Sequence, residues 1–192
     1  TFSEDMDPGT IDDTSFELDY FGLHAPYDCN PRNIGPRAAA RNGPAWDSSW
    51  NGHYEATFHV KGELILRGKR HAVDCIEIGD RSWGPRPERD NGTMIWWHGS
   101  WSKDFAVHLF TRHDIAKTDD FGPLVSGYVF DEGKLHGITN TRGRQEYRKC
   151  VPMGGMLEIT DVRGKKFNFT YSTVNSCYWA PYPSNTYLQS SM

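Results

Sequence analysis

The sequence predicts an all-β fold, an antiparallel up-and-down meander closed into a barrel or rolled into a strongly curved sheet. Three observations predict it. Apolar and polar residues alternate with period two in one short segment after another. Most of those segments are joined by tight glycine-containing or polar links such as Asp131-Glu132-Gly133, Arg163-Gly164 and Ser102-Lys103-Asp104. No window carries a 3.6-residue apolar stripe over three turns. Barrel closure removes exposed strand edges, and about eight strands leave room for side chains or one small ligand.

In chain order, residues 1–14 are acidic and hydroxylated and read as a flexible tail or linker. Phe16, Leu18 and Tyr20 alternate with Glu17 and Asp19 as a first short strand. Residues 22–52 lack periodicity and are punctuated by Pro26, Pro31, Pro36 and Pro44, an irregular segment that could cap a barrel mouth with His24, Tyr27 and Asp28. From His53 to Leu66 the alternation is long: Tyr54, Ala56, Phe58 and Val60 on one face, His53, Glu55, Thr57 and His59 on the other. Gly62 reads as a bulge or bend in that strand, and Gly68-Lys69 turns the chain into a strand over 71–78. Further strands are expected at 94–101, 105–112, 125–130, 135–139, 145–151, 156–161 and 166–174, with 181–192 as a C-terminal tail.

Composition removes several function classes. With 25 acidic against 21 basic side chains the net charge is −4, which argues against a nucleic-acid partner. No apolar run approaches the about 20 residues of a membrane span. No secretory leader is visible, and the start at Thr1 suggests a processed or excised part of something longer. Cys29, Cys75, Cys150 and Cys177 show no short spacing and read as buried thiols of a cytoplasmic protein. Metalloprotease, P-loop, dinucleotide-binding and serine-elbow motifs are absent, and no histidine pair has telling metal-ligand spacing, so neither metal nor cofactor is expected.

Three clusters could carry chemistry. Gly79-Asp80-Arg81-Ser82-Trp83-Gly84-Pro85-Arg86 reads as a loop in which guanidinium groups pair with carboxylates and stack on an indole. It serves either a site or a rigid corner. Trp96-Trp97-His98-Gly99-Ser100-Trp101 reads as a strand with Trp96 and His98 on one face and Trp97 and Trp101 on the other. A desolvated His98 would stay neutral, as a proton acceptor or as a core histidine. In His53-Tyr54-Glu55 a carboxylate could orient an imidazole, or both could face solvent; the pattern does not choose the face.

The run His53-Tyr54-Glu55, then a Gly-Glu-Leu strand at 62–64, then Asp80-Arg81-Ser82-Trp83-Gly84-Pro85-Arg86, resembles the carotenoid 1,2-hydratase-like group, the hydroxyneurosporene synthases of the lipocalin-like (calycin) superfamily. The similarity covers residues 15–180, with the Asp80–Arg86 run its most specific part; Arg81 stands where members often carry histidine. The resemblance implies a lipocalin-like β domain matching the C-terminal half of a two-domain protein, with an N-terminal half, or a second copy in a homodimer, as partner. It also implies cofactor-free chemistry on a small hydrophobic substrate.

The resulting expectation is an acid–base lyase of hydratase or dehydratase type acting on a terpenoid, steroid or aromatic substrate. Asp80, His98, His53 and Glu55 are its candidate catalytic residues; Trp83, Trp96, Trp97, Trp101, Tyr54, Arg81 and Arg86 would bind substrate. Two alternatives stay open: a non-catalytic binding or pericyclase-like template domain, and a structural half of a two-domain enzyme.

Overall fold

The computed structural model describes residues 13–29, 52–84, 94–113, 121–148, 151–182 and 185–191, with side chains described as far as residue 176. The described residues hold twelve strands and no helix: β1 (Ser15–Gly22), β2 (Tyr27–Asp28), β3 (Gly52–Leu66), β4 (Lys69–Trp83), β5 (Met94–Ser102), β6 (Phe105–Arg112), β7 (Leu124–Asp131), β8 (Lys134–Arg148), β9 (Val151–Asp161), β10 (Lys166–Ser172), β11 (Asn175–Tyr182) and β12 (Asn185–Ser191).

The six strands β5 to β10 lie side by side in sequence order, an antiparallel meander rolled into a strongly curved half-barrel of lipocalin-like form. A second sheet is built on β3, flanked by β4 on one edge and by β1 and then β2 on the other. β11 and β12 pair as a hairpin, so residues expected as a C-terminal tail are strand.

Two tight hairpins explain much of this order. Arg67 and Gly68 between β3 and β4, and Glu132 and Gly133 between β7 and β8, all have positive φ, the two-residue turn whose twist matches its strands.

The central strands of the half-barrel are packed on both faces. On one, Trp97 of β5, Val107 and Leu109 of β6, Val129 of β7 and Leu157 and Ile159 of β9 form a core closed by aromatics of β10. On the other, Ala106, Tyr128 and Phe130 pack against Leu23, just past β1, and Tyr27 of β2. β7, lying between, is buried along its whole length. At one end Asp161 caps the β9–β10 turn by accepting from the backbone N–H groups of Arg163 (2.8 Å) and Lys165 (3.1 Å), while Arg163 and Lys165 reach Asp131 of β7, each at 2.8 Å.

Three sequence expectations are corrected. Residues 79–83, expected in a loop, continue β4 and pair residue by residue with β3 as far as Trp83↔Gly52. Gly79 belongs there because a Cβ would sit 3.0 Å from the Phe58 ring. Gly62 makes no bulge, since its pairing with Leu18 and Val73 is in register; it meets a φ of 148° and a Glu17 carbonyl oxygen that would stand 2.0 Å from a Cβ. The expected strands 135–139 and 145–151 are one strand, β8, whose polar middle Asn140-Thr141-Arg142 is held by pairing to β9. Partner strands override a weak local pattern in each of these stretches.

Candidate functional site

The face of β3 left undecided by alternation is settled by packing. His53, Glu55 and Thr57 point into the space between the two sheets, facing His108 of β6 and Tyr128 of β7. Cross-strand pairing brings Asp80 of β4 opposite Glu55 and Tyr27 of β2 opposite it on the other side.

The centre is a buried carboxyl–imidazole pair. Glu55 is 1% exposed, and its Oε1 lies 2.9 Å from His53 Nε2, within ion-pair distance. The same nitrogen is 3.5 Å from Asp80 Oδ2, and Asp80 is 36% exposed. His53 therefore stands between an interior carboxyl and one that reaches solvent. Trp96 lies edge-on to His53 with ring centroids 6.5 Å apart, and is 47% exposed.

Burial pushes the Glu55 carboxyl up to about 7, against the opposing pull of His53. For His53 burial works downward, but Asp80 and Glu55 outweigh it and its pKa is raised. The two shifts belong to one coupled pair that holds a proton near neutrality.

Around this pair lies a layer of neutral imidazoles and hydroxyls. His24 Nε2 accepts from the Thr57 backbone N–H at 3.1 Å, so its proton sits on Nδ1, 2.8 Å from the Ala25 carbonyl oxygen. The Thr57 and Tyr128 hydroxyls bond each other at 2.9 Å. Burial lowers the pKa of His98 to about 4, with His24 adding to the effect. Its Nε2 bonds Ser100 Oγ at 3.2 Å. The Cys29 thiol is also buried, and burial first, then the charge of Glu55, pushes its pKa well up.

Cys29, His53 and Glu55 are the grouping of potential metal donors among the described residues, with one donor atom each within 4.8 Å of one another. The set does not fit a resident ion as it stands. Two ligands of one tetrahedral ion at about 2.1 Å keep roughly 3.4 Å between them, whereas His53 and Glu55 face each other at ion-pair distance.

Of the sequence candidates, the structure brings His53, Glu55, Asp80 and Trp96 together. His98 stands on the same side but contacts the cluster through His108, ring centroids 6.1 Å apart. Tyr54, Arg81 and Trp83 lie on the opposite face of the β3–β4 sheet, where Trp83 is exposed with its ring edge toward Tyr54. Trp97 and Trp101 belong to the far face of the half-barrel, where Trp101 stacks on Phe169 at 4.9 Å. Arg86 lies outside the described residues. Sequence reasoning passed over His108, Thr57 and Tyr128. The signal for His108 was a lone histidine alternating with Ala106 and Phe110 in an otherwise apolar strand.

A family model fits nearly the full length, residues 4–191. The chain belongs to DUF7064, a domain of unknown function. No curated protein and no solved structure matches it significantly. For this DUF7064 domain, the site geometry carries the functional reading.

Proposed function

We propose that the chain is an acid–base lyase of hydratase or dehydratase type, working without a cofactor on a small hydrophobic substrate of terpenoid, steroid or aromatic character. The observation that carries this reading is His53 Nε2 set between buried Glu55 and half-exposed Asp80, beside the exposed indole of Trp96. A carboxyl group buried at such cost is hard to explain as packing. It is well explained as a proton store matched to neutral pH.

In the hydration direction, the proton held on His53 passes through the Asp80 carboxyl to an alkene carbon. The developing cation lies against the face of Trp96, whose quadrupole favours positive charge. Water adds to the cation, and the proton it releases returns to the Asp80–His53–Glu55 array. Dehydration runs the same steps backward. A merely templating pocket would need the indole and not the array. The exposed, free Cys75 thiol supports a reducing, cytoplasmic setting.

The test is a panel of isoprenoid and steroid alcohols and their alkenes, scored by gain or loss of one water in mass spectrometry. Asp80→Asn should lose at least about 100-fold in turnover of any compound that reacts, with its binding retained. An Asp80→Asn protein that turns the compound over normally ends the assignment.

A further inference from the structure

A histidine outside the proposed proton path lies against Glu55. His108 of β6 is fully buried, and its Nδ1 lies 3.1 Å from the indole Nε1 of Trp96. An indole N–H can only donate, so Nδ1 must accept. A neutral imidazole has one proton, which is then confined to Nε2. Burial first, then the nearby His98 and His53, keep His108 neutral by pulling its pKa well down. Its Nε2 is 3.6 Å from Glu55 Oε1. That is too long for a hydrogen bond at rest, but it aims an N–H dipole at the carboxyl, and contacts of this kind tighten in a working complex.

We propose that His108 is a positioning residue whose tautomer is locked by the Trp96 indole, so that its Nε2–H faces Glu55 and favours the ionised carboxylate. Trp96 then has two roles on its two sides, an exposed ring face outward and an N–H inward. The consequence for catalysis rests on the lyase reading, but the tautomer and the Glu55 titration do not. The groups facing Glu55 are His53 from β3, Asp80 from β4, His108 from β6, Tyr27 from β2, and Cys29 just beyond β2. Tyr128 of β7, with a pKa raised by burial, and neutral His98 of β5 stand one layer further out. Of the two imidazoles facing Glu55, His53 has its pKa raised, whereas burial keeps His108 neutral.

The experiment is nitrogen NMR of histidine-labelled full chain with carbon NMR of labelled glutamate, on the wild type, Trp96→Phe and His108→Gln. In the wild type, His108 should show a bare Nδ1 and a protonated Nε2, unchanged between about pH 5 and 8. Trp96→Phe should release the lock, giving a tautomer mixture and a Glu55 midpoint raised by about half a unit. His108→Gln, whose amide can still donate, should keep the Glu55 midpoint close to the wild-type value. A protonated Nδ1 in the wild type overturns the proposal with no variant needed. So does a folded Trp96→Phe protein whose Glu55 midpoint has not moved. These readouts stand even where no substrate turns over, which separates failure here from failure of the lyase reading.

Discussion

His53 and Asp80 sit on neighbouring strands two residues out of direct opposition, since His53 pairs with Ser82, and their side chains still meet, Nε2 to Oδ2, at 3.5 Å. Asp80 is paired across the ladder with Glu55, so a single imidazole touches both members of a cross-strand carboxyl pair. Two carboxylates placed opposite each other would repel. A proton-bearing ring between them turns that repulsion into a site.

The first prediction concerns stability between acid and neutral pH. Glu55 has its pKa raised from 4.5 to about 7, so its contribution is complete below 4.5 and is lost as pH rises through 7. His53, also raised, acts in the same direction. Urea unfolding across a pH series should therefore show the wild type losing this stability between about pH 4.5 and 7, and Glu55→Gln should lose less over that range. Parallel curves for the two proteins would contradict the buried-carboxyl account.

Acid acts on a different cluster. Asp131 is held below its usual range by Lys165 and Arg163; for Asp161 burial opposes, but Arg163 and the backbone N–H groups of Arg163 and Lys165 prevail. A depressed carboxylate contributes above its unfolded pKa and is lost as pH falls through the folded one. Asp161→Asn should cost about 1–3 kcal/mol at neutral pH and flatten the loss of stability below pH of about 4. Chemical denaturation at neutral and acid pH measures both.

Gly62 admits no side chain. With φ at 148° and the Glu17 carbonyl in the way, Gly62→Ala should destabilise by about 2–4 kcal/mol and loosen β1 first. Amide exchange over residues 15–22 would report it; protection equal to wild type would show that the strand absorbs the methyl group.

Chelation separates proton chemistry from metal chemistry. Dialysis against a strong chelator should leave the unfolding midpoint unchanged, because His53 and Glu55 engage each other at 2.9 Å. A fall restored by one equivalent of zinc would assign Cys29, His53 and Glu55 to an ion instead.

Much of the fold was legible because its cause is local. Period-two alternation and the Glu132-Gly133 link mark β7 and the start of β8 without any knowledge of their partners. What was missed depends on partners. Gly79-Asp80-Arg81-Ser82-Trp83 has the composition of a loop, and becomes strand because β3 runs alongside it to Gly52. The site was half legible for the same reason. His53 and Glu55 share a face by spacing alone, but which face is buried depends on how the second sheet lies on β6 and β7. Tryptophan clustering pointed at Trp96 and equally at Trp97 and Trp101, which the pleat sends to the opposite face.

The most direct measurement is the titration of the Glu55 carboxyl carbon, followed by NMR in the wild type and in Asp80→Asn. The expected result is a midpoint near 7 for Glu55 in the wild type, with the His53 midpoint falling in Asp80→Asn as one of its two carboxylate partners is lost. A Glu55 midpoint at its ordinary 4.5, or a His53 titration indifferent to Asp80→Asn, would contradict the shared-proton site.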